Sequence, residues 1–133
     1  MVDDTTVTYT SNTVRAPLVV ATVFNGTTIS AIGQSEPIYI GGSIHLLLIV
    51  TLGTEVGNGS VKFHIKPCTS DGTLIGAYDN ATAELTSAQT VGLAIDETST
   101  TPLGEHVEIS WSTAGTLDID NKFTLSTVKI VAK

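Results

Sequence analysis

The chain has 133 residues, a length typical of one domain with its own hydrophobic core. Apolar residues make up 41% and charged residues only 14%, and the abundant threonine is β-branched, which favours strands over helices. The formal net charge is −7, and the sequence between Lys66 and Lys122 contains nine acidic residues and no Lys or Arg. Because nucleic acids and anionic membranes are bound through basic residues, this charge argues against both partners.

The single cysteine and the apolar runs bear on the cellular compartment. Cys68 has no second cysteine to pair with in the chain, and we expect it to be a small buried apolar residue. Residues 1–4 lack the basic and apolar regions of a signal peptide. The longest apolar run, residues 44–50, is too short for a transmembrane helix. These features predict a soluble protein.

The first strands are predicted from apolar runs between turn residues. Residues 18–24 form a strand that ends at Asn25 and Gly26, a dipeptide that strongly favours a tight turn. We therefore expect residues 27–32 to pair back on that strand as a hairpin. Residues 37–40 form a further short strand.

Two central segments have contrasting patterns. Residues 43–52 are apolar at nearly every position, which predicts a central strand buried on both faces. Residues 61–66 alternate strictly, which predicts a strand with one buried face. Its inward side chains are Val61, Phe63 and Ile65, and its outward side chains are Lys62, His64 and Lys66.

Three segments follow in the second half. Residues 73–78 are predicted as a strand, and residues 81–89 are compatible with a short helix or with a strand. We favour two strands here, the second at residues 90–95. Residues 105–112 alternate again. Val107, Ile109 and Trp111 share the inward face, opposite His106, Glu108 and Ser110.

The last segment, residues 123–132, changes face midway. Phe123 and Leu125 have one parity, whereas Val128 and Ile130 have the other. A one-residue register slip, as a β-bulge supplies, would direct both halves to the core.

The pattern as a whole predicts an all-β protein. About nine or ten short strands with turn signals roughly every ten residues are typical of an antiparallel β-sandwich. We assign residues 1–15 to an extended N-terminal arm and residues 16–133 to a single sandwich domain.

The three histidines are candidate metal ligands. His45 lies inside the apolar run and is predicted to be hydrogen-bonded at the core or at a strand end. His64 and His106 both face outward and would meet if their strands were neighbours, but two ligands do not make a zinc site. His64 and Cys68 are separated by roughly 13 Å of extended strand, which excludes a Cys–His dyad. We predict no metal site.

The segment from Asp118 to Asn121 has the start of a calcium-binding loop. It lacks the central Gly and the downstream Glu of such a loop. The preferred interpretation is therefore an Asx turn that leads into the last strand.

The carboxylate and hydroxyl side chains are the candidate catalytic groups of the chain. Glu105 and Glu108 have opposite parity on one strand, so they cannot converge as a glycosidase pair without a bulge. Ser, His and Asp residues occur without a nucleophile elbow or a phosphate-binding glycine loop. We predict no catalytic residues, no cofactor and no enzymatic activity. A carbohydrate-binding module is the alternative, with Tyr9, Tyr39 and Tyr78 as candidate stacking platforms.

In size, composition and strand pattern, including the Thr-rich start at residues 5–14 and the closing strand at 123–132, the chain resembles the small cement or decoration proteins of tailed bacteriophage capsids. The resemblance implies a jelly-roll sandwich located on the capsid surface of the virion. It also implies a homo-oligomer, dimeric or trimeric, that binds and stabilises the lattice of the major capsid protein. We expect contacts to that partner from Val7, Tyr9 and Arg15 in the arm. A tail-fibre or baseplate component is a further alternative.

Overall fold

The fold is described from a computed structural model, in which the described residues are 18–41, 43, 45–96, 99 and 101–132. Within these ranges the chain forms ten strands and no helix, which confirms the predicted all-β class. In chain order the strands are β1 (Leu18–Ile29), β2 (Gly33–Gln34), β3 (Ile38–Tyr39), β4 (Leu46–Leu52), β5 (Glu55–Val56), β6 (Lys62–Cys68), β7 (Asn80–Ala81), β8 (Gln89–Ile95), β9 (His106–Ser112) and β10 (Lys122–Ala132). The predicted arm and its boundary at residue 16 lie outside the described residues.

The strands form two antiparallel sheets that pack face to face as a sandwich. The first sheet has the order β1-β10-β4-β8, with β5 also paired to β10. The second sheet has the order β2-β9-β6-β7, with β3 also paired to β9. Strands from distant parts of the chain are therefore neighbours in both sheets, and this wrapped order is that of a jelly roll.

The core lies between the two sheets, where alternate residues of each strand point inward. Phe63, Ile65 and Ile109 are fully buried, as the alternation of β6 and β9 predicts, but Glu108 on the opposite face of β9 is also buried. Trp111 is partly buried, and its ring meets that of Phe24 edge-on at 4.8 Å between centroids. The first sheet adds Leu46, Leu48, Val50, Leu52, Phe123, Val128 and Ile130.

The expected hairpin at Asn25 and Gly26 does not form. β1 continues through both residues and pairs along its length with β10. Between the pairs Phe24–Val128 and Thr27–Ser126, β1 has two residues where β10 has one, so the extra residue forms a bulge. Gly26 adopts a φ of 63° there, a conformation that glycine reaches without the Cβ penalty. The Asn-Gly signal thus marks a positive φ within a strand rather than a chain reversal.

The predicted register slip in β10 is confirmed, but one of its side chains was assigned to the wrong face. Leu125 has a φ of 53° and is 72% exposed, and Ser126 takes the inward position instead. The Ser126 hydroxyl is satisfied there because it accepts a hydrogen bond from the Gly53 amide at 3.1 Å. This bulge on β10 offsets the bulge of β1 between Phe24 and Thr27, whereas two further register shifts, between Val19 and Ala21 and between Thr22 and Phe24, are not offset.

β4 is a central strand between β10 and β8, as predicted, but only one of its faces is buried. Leu46, Leu48 and Val50 point into the core, whereas Leu47 and Thr51 are exposed. No further layer covers the outer face of this sheet in the described part of the chain, so the alternate residues meet solvent.

The connection between β6 and β8 differs from the prediction. Residues 73–78 are not a strand, although Leu74 forms an isolated bridge to Cys68. Residues 81–89 contain no helix, and Leu85 forms an isolated bridge to Val61. The strand predicted at residues 90–95 is confirmed as β8.

Candidate functional site

The outer face of the second sheet carries most of the chemically active side chains of β6 and β9. These strands pair antiparallel, which places their outward residues in cross-strand rows. The rows are Lys62 opposite Ser112, His64 opposite Ser110, Lys66 opposite Glu108, and Cys68 opposite His106. Opposite residues have Cβ atoms about 4.5–5.5 Å apart, so each row forms a local side-chain group.

His64 is the centre of a three-residue hydrogen-bonded network on this face. Its Nδ1 lies 2.9 Å from Oδ1 and 3.1 Å from Oδ2 of Asp79, which precedes β7. Its Nε2 lies 2.8 Å from Oγ of Ser112 at the end of β9. As a carboxylate Asp79 only accepts hydrogen bonds, so Nδ1 carries the proton and Nε2 of the neutral ring accepts from the Ser112 hydroxyl.

This order of contacts, Asp to Nδ1 and Nε2 to Ser, is the one found in Ser-His-Asp triads. The alternation of β6 predicts the outward orientation of His64, and the alternation of β9 places Ser112 on the same face. Asp79 was missed, because it lies in a turn region with no strand periodicity. The absence of enzymatic activity stays a prediction.

His64 and His106 do not form a metal-binding pair. The strands of His64 and His106 are neighbours, but His64 is opposite Ser110 and His106 is opposite Cys68. The two rings are thus two rows apart, roughly 13 Å along the strands. Among the described residues no group of three or more His, Cys, Asp or Glu side chains could hold a metal ion.

Cys68 is buried, as predicted, and it lies beside His106 rather than His64. Burial raises the pKa of the Cys68 thiol, and the negative charges of Glu108 and Asp71 raise it further. Because the thiolate is the reactive form, these surroundings favour an inert thiol.

The turn predicted at Asp118 is confirmed as an Asx turn. Oδ1 of Asp118 accepts hydrogen bonds of 2.9 Å from the Asn121 side-chain amide and from the backbone N–H groups of Asp120 and Asn121. The Asn121 side chain, followed by the Asp120 amide, lowers the pKa of Asp118 below its ordinary value of 3.8. This oxygen therefore organises the turn and is occupied by protein donors.

The lowered pKa predicts a contribution to stability that depends on pH. The contribution of Asp118 is present above the ordinary value of 3.8 and is lost as the pH falls through the lower folded-state pKa. We expect Asp118→Asn to reduce the unfolding free energy at pH 6. Its unfolding free energy should also decrease less than that of the wild type when the pH is lowered to 2. Urea unfolding at both pH values measures this difference. Asp120→Asn in the same turn is the control, and an equal response of both variants would contradict the assignment.

The residues predicted to contact a partner, Val7, Tyr9 and Arg15, lie outside the described residues. Of the candidate sugar platforms, Tyr39 and Tyr78 are exposed. The Tyr39 ring meets that of His106 edge-on at 5.3 Å between centroids. His45 lies just before β4, at a strand end.

In the part of the chain that the structure describes, no helix is long and apolar enough to cross a membrane. Comparisons with protein-family models, with curated proteins and with solved structures find no match. Function is therefore inferred from the chain's own residues.

Proposed function

We propose that the chain is a structural virion protein, a capsid cement or decoration protein that binds and stabilises the lattice of a major capsid protein. It acts in this proposal as a homo-oligomer, dimeric or trimeric, on the capsid surface. The resemblance in size, composition and strand pattern supports the proposal, and the jelly-roll sandwich is compatible with it.

The observation that carries the proposal is a set of exposed apolar side chains at one end of the second sheet. Tyr39 on β3, His106, Cys68 and Leu74 lie in one cross-strand row. Tyr39 is 64% exposed and Leu74 is 44% exposed, at opposite ends of a row about 14 Å wide.

Two further exposed apolar residues, Ile75 and Tyr78, follow Leu74 in the chain. We call Tyr39, Leu74, Ile75 and Tyr78 the apolar end of the sheet. Clustered apolar exposure of this kind marks surfaces that bind another protein. In the proposal, the apolar end is covered when the protein binds to a capsid.

The charge of the chain defines the chemistry of the complementary surface. The segment between Lys66 and Lys122 carries nine carboxylates and no Lys or Arg, and it includes Leu74, Ile75 and Tyr78. Opposite potentials across an interface accelerate association and suppress wrong partners. The lattice surface that receives this protein is therefore expected to be basic around an apolar centre.

Occupancy of purified capsids tests the proposal. We expect the protein to co-sediment with virus particles and particles lacking it to release their genome at a lower temperature. The double variant Tyr39→Ser with Leu74→Ser should lose at least about tenfold in affinity, because truncating buried interface residues costs more than about 1.4 kcal/mol.

The matched control is Ile119→Ser, which removes a 75% exposed apolar side chain from the distant 118–121 turn. It should bind capsids as the wild type does. Labelling at the tail would instead indicate the tail-fibre or baseplate alternative, and retention on a glycan array without capsid binding would indicate the carbohydrate-binding alternative. Either result would contradict the proposal.

A further inference from the structure

The Asp79–His64–Ser112 network has a chemistry that a capsid-binding role does not use. We propose that Ser112 is a nucleophile activated by His64 and oriented through Asp79, and that it accepts the acyl group of small activated carboxylic esters. This site lies at the rows of Lys62 and His64, whereas Tyr39 and Leu74 of the apolar end lie at the row of Cys68.

Each of the three side chains is placed for a defined role. The Asp79 carboxylate holds the proton on Nδ1 of His64 through contacts of 2.9 and 3.1 Å. This leaves Nε2 as a base, 2.8 Å from the Ser112 Oγ. A serine hydroxyl is a weak nucleophile until such a base removes its proton during attack. The distances lie within the hydrogen-bond range that a general base requires.

His64 and Ser112 are also held in place by their surroundings. The His64 side chain is only 13% exposed, which limits its rotation. Ser112 is held by the β6–β9 ladder, and beyond it the Ala114 amide donates to Glu84 Oε2 at 3.2 Å. Thr113 Oγ1 lies 2.7 Å from the Ser60 Oγ. A fixed strand end beside a fixed imidazole preorganises the nucleophile.

The residue opposite Ser112 in the β6–β9 ladder is a lysine. Lys62 is directly opposite Ser112 and faces outward on the same face. Its ammonium group can therefore reach an oxyanion formed at Ser112, and such a charge stabilises the tetrahedral intermediate. The register partners of His64 are Ser110 and Ala81, two small residues that leave room for a short acyl group.

Water is the only co-substrate of the proposed ester hydrolysis. Ser112 Oγ attacks the ester carbonyl carbon, its proton passes to Nε2 of His64, and the carbonyl oxygen becomes the oxyanion. Collapse breaks the bond to the leaving alcohol, which takes the proton from Nε2 and leaves an acyl-serine. Water then attacks this ester with the same base. The products are a carboxylic acid and free Ser112.

The competing interpretation is that the network only ties the segment before β7 to the sheet. Covalent labelling separates the two, because a structural hydrogen bond does not make a serine react. The purified protein is incubated with a fluorophosphonate probe: Ser112 Oγ would bond to phosphorus and fluoride would leave with the proton. Peptide mapping by mass spectrometry locates the adduct, and release of p-nitrophenol from p-nitrophenyl acetate measures turnover.

We expect a single adduct on Ser112 that forms at least about tenfold faster than any adduct on Ser110, the neighbouring serine of the same face. Ser112→Ala should abolish labelling, and Ser87→Ala, which changes an exposed serine just before β8, should preserve it. Asp79→Asn should slow labelling by at least about tenfold and by as much as about 10⁴-fold, because it favours the wrong imidazole tautomer.

Equal labelling of Ser112 and Ser110 in the wild-type protein would overturn the inference, and so would a labelling rate unchanged by Asp79→Asn. The comparison of Ser112 with Ser110 uses the wild-type protein alone, so it tests the activation of Ser112 even if a substitution unfolds the chain. Neither measurement requires a capsid, so the result is independent of the proposed decoration role.

Discussion

Replacement of Phe63 by alanine is expected to lower the free energy of unfolding by about 3–5 kcal/mol. Phe63 is fully buried at the centre of β6, and its ring lies 6.3 Å from that of Trp111 between centroids. Alanine would remove the buried ring and leave a cavity, since the surrounding strands are fixed by their hydrogen-bonded ladders. Domains are stable by about 5–15 kcal/mol, so this single change removes a large part of the total.

Urea unfolding monitored by Trp111 fluorescence measures the loss, and the thermal midpoint should fall by roughly 10–20 °C. Lys62→Ala is the matched control, because Lys62 is adjacent on the same strand and points outward. Its effect should stay within about 0.5 kcal/mol, as for most surface changes. Similar losses of unfolding free energy in both variants would show that Phe63 does not lie on a buried face of β6.

The strands with one buried face could be predicted from the sequence. In β6 and β9 the side chains alternate between apolar and polar, and this period matches the two-residue repeat of a strand. The buried positions Phe63 and Ile109 and the outward position of His64 follow directly. Pairing partners do not follow, because the alternation fixes a face and leaves the neighbour undetermined.

The bulges show where local signals are overridden by the rest of the fold. Asn25 and Gly26 favour a hairpin in isolation, yet β1 gains a ladder along β10 by continuing through them. Leu125 is apolar and was assigned to the core, but the offsetting bulge turns it outward and brings Ser126 in. Both outcomes depend on how two strands about 100 residues apart align, which no short window of sequence contains.

The candidate site was only partly predictable for the same reason. Asp79 is 15 residues from His64 in the sequence, and Ser112 is 48 residues away. Strand parity places His64 and Ser112 on one face, but their contact requires the β6–β9 register. The position of Asp79 requires the path of the chain between β6 and β7. The network is a product of topology rather than of a local motif.

The two proposals involve separate rows of one sheet and can be tested independently. Variants at Tyr39 and Leu74 leave the hydrogen bonds of His64 in place, and variants at Ser112 leave the apolar end exposed. If the apolar end binds a lattice, Ser112 lies on the same face of the bound protein. Labelling of Ser112 before and after capsid binding would then show whether the partner covers that serine.

Replacement of Gly53 by alanine is expected to destabilise the protein by at least about 3 kcal/mol, near the upper end of the usual range for overpacking. A Cβ at this position would lie 1.8 Å from the Thr124 carbonyl oxygen and 2.8 Å from that of Leu125. Both oxygens belong to the backbone, so no change of rotamer relieves the contact. β10 would have to move away from the end of β4.

That movement would also break hydrogen bonds around the β10 bulge. The Gly53 amide donates to Ser126 Oγ at 3.1 Å, and the Thr124 amide donates to the Thr54 carbonyl at 2.9 Å. Ser126 is fully buried, so loss of the Gly53 donor removes one of the two hydrogen bonds of its hydroxyl, which also donates to the Thr124 carbonyl at 3.5 Å. The steric clash and the lost hydrogen bonds therefore both destabilise the fold.

Gly92→Ala in β8 is the matched control for Gly53→Ala. A Cβ at Gly92 would meet the Leu47 Cδ1 at 3.2 Å, and this methyl group is the end of an exposed, flexible side chain that can rotate away. We expect a change within about 1 kcal/mol for this variant, because alanine also reduces the backbone entropy of the unfolded chain. Urea unfolding of both variants at one pH provides the comparison. If Gly53→Ala were tolerated as well as Gly92→Ala, the close approach of β4 and β10 could not be what fixes the bulge, and the outward position of Leu125 would need another cause.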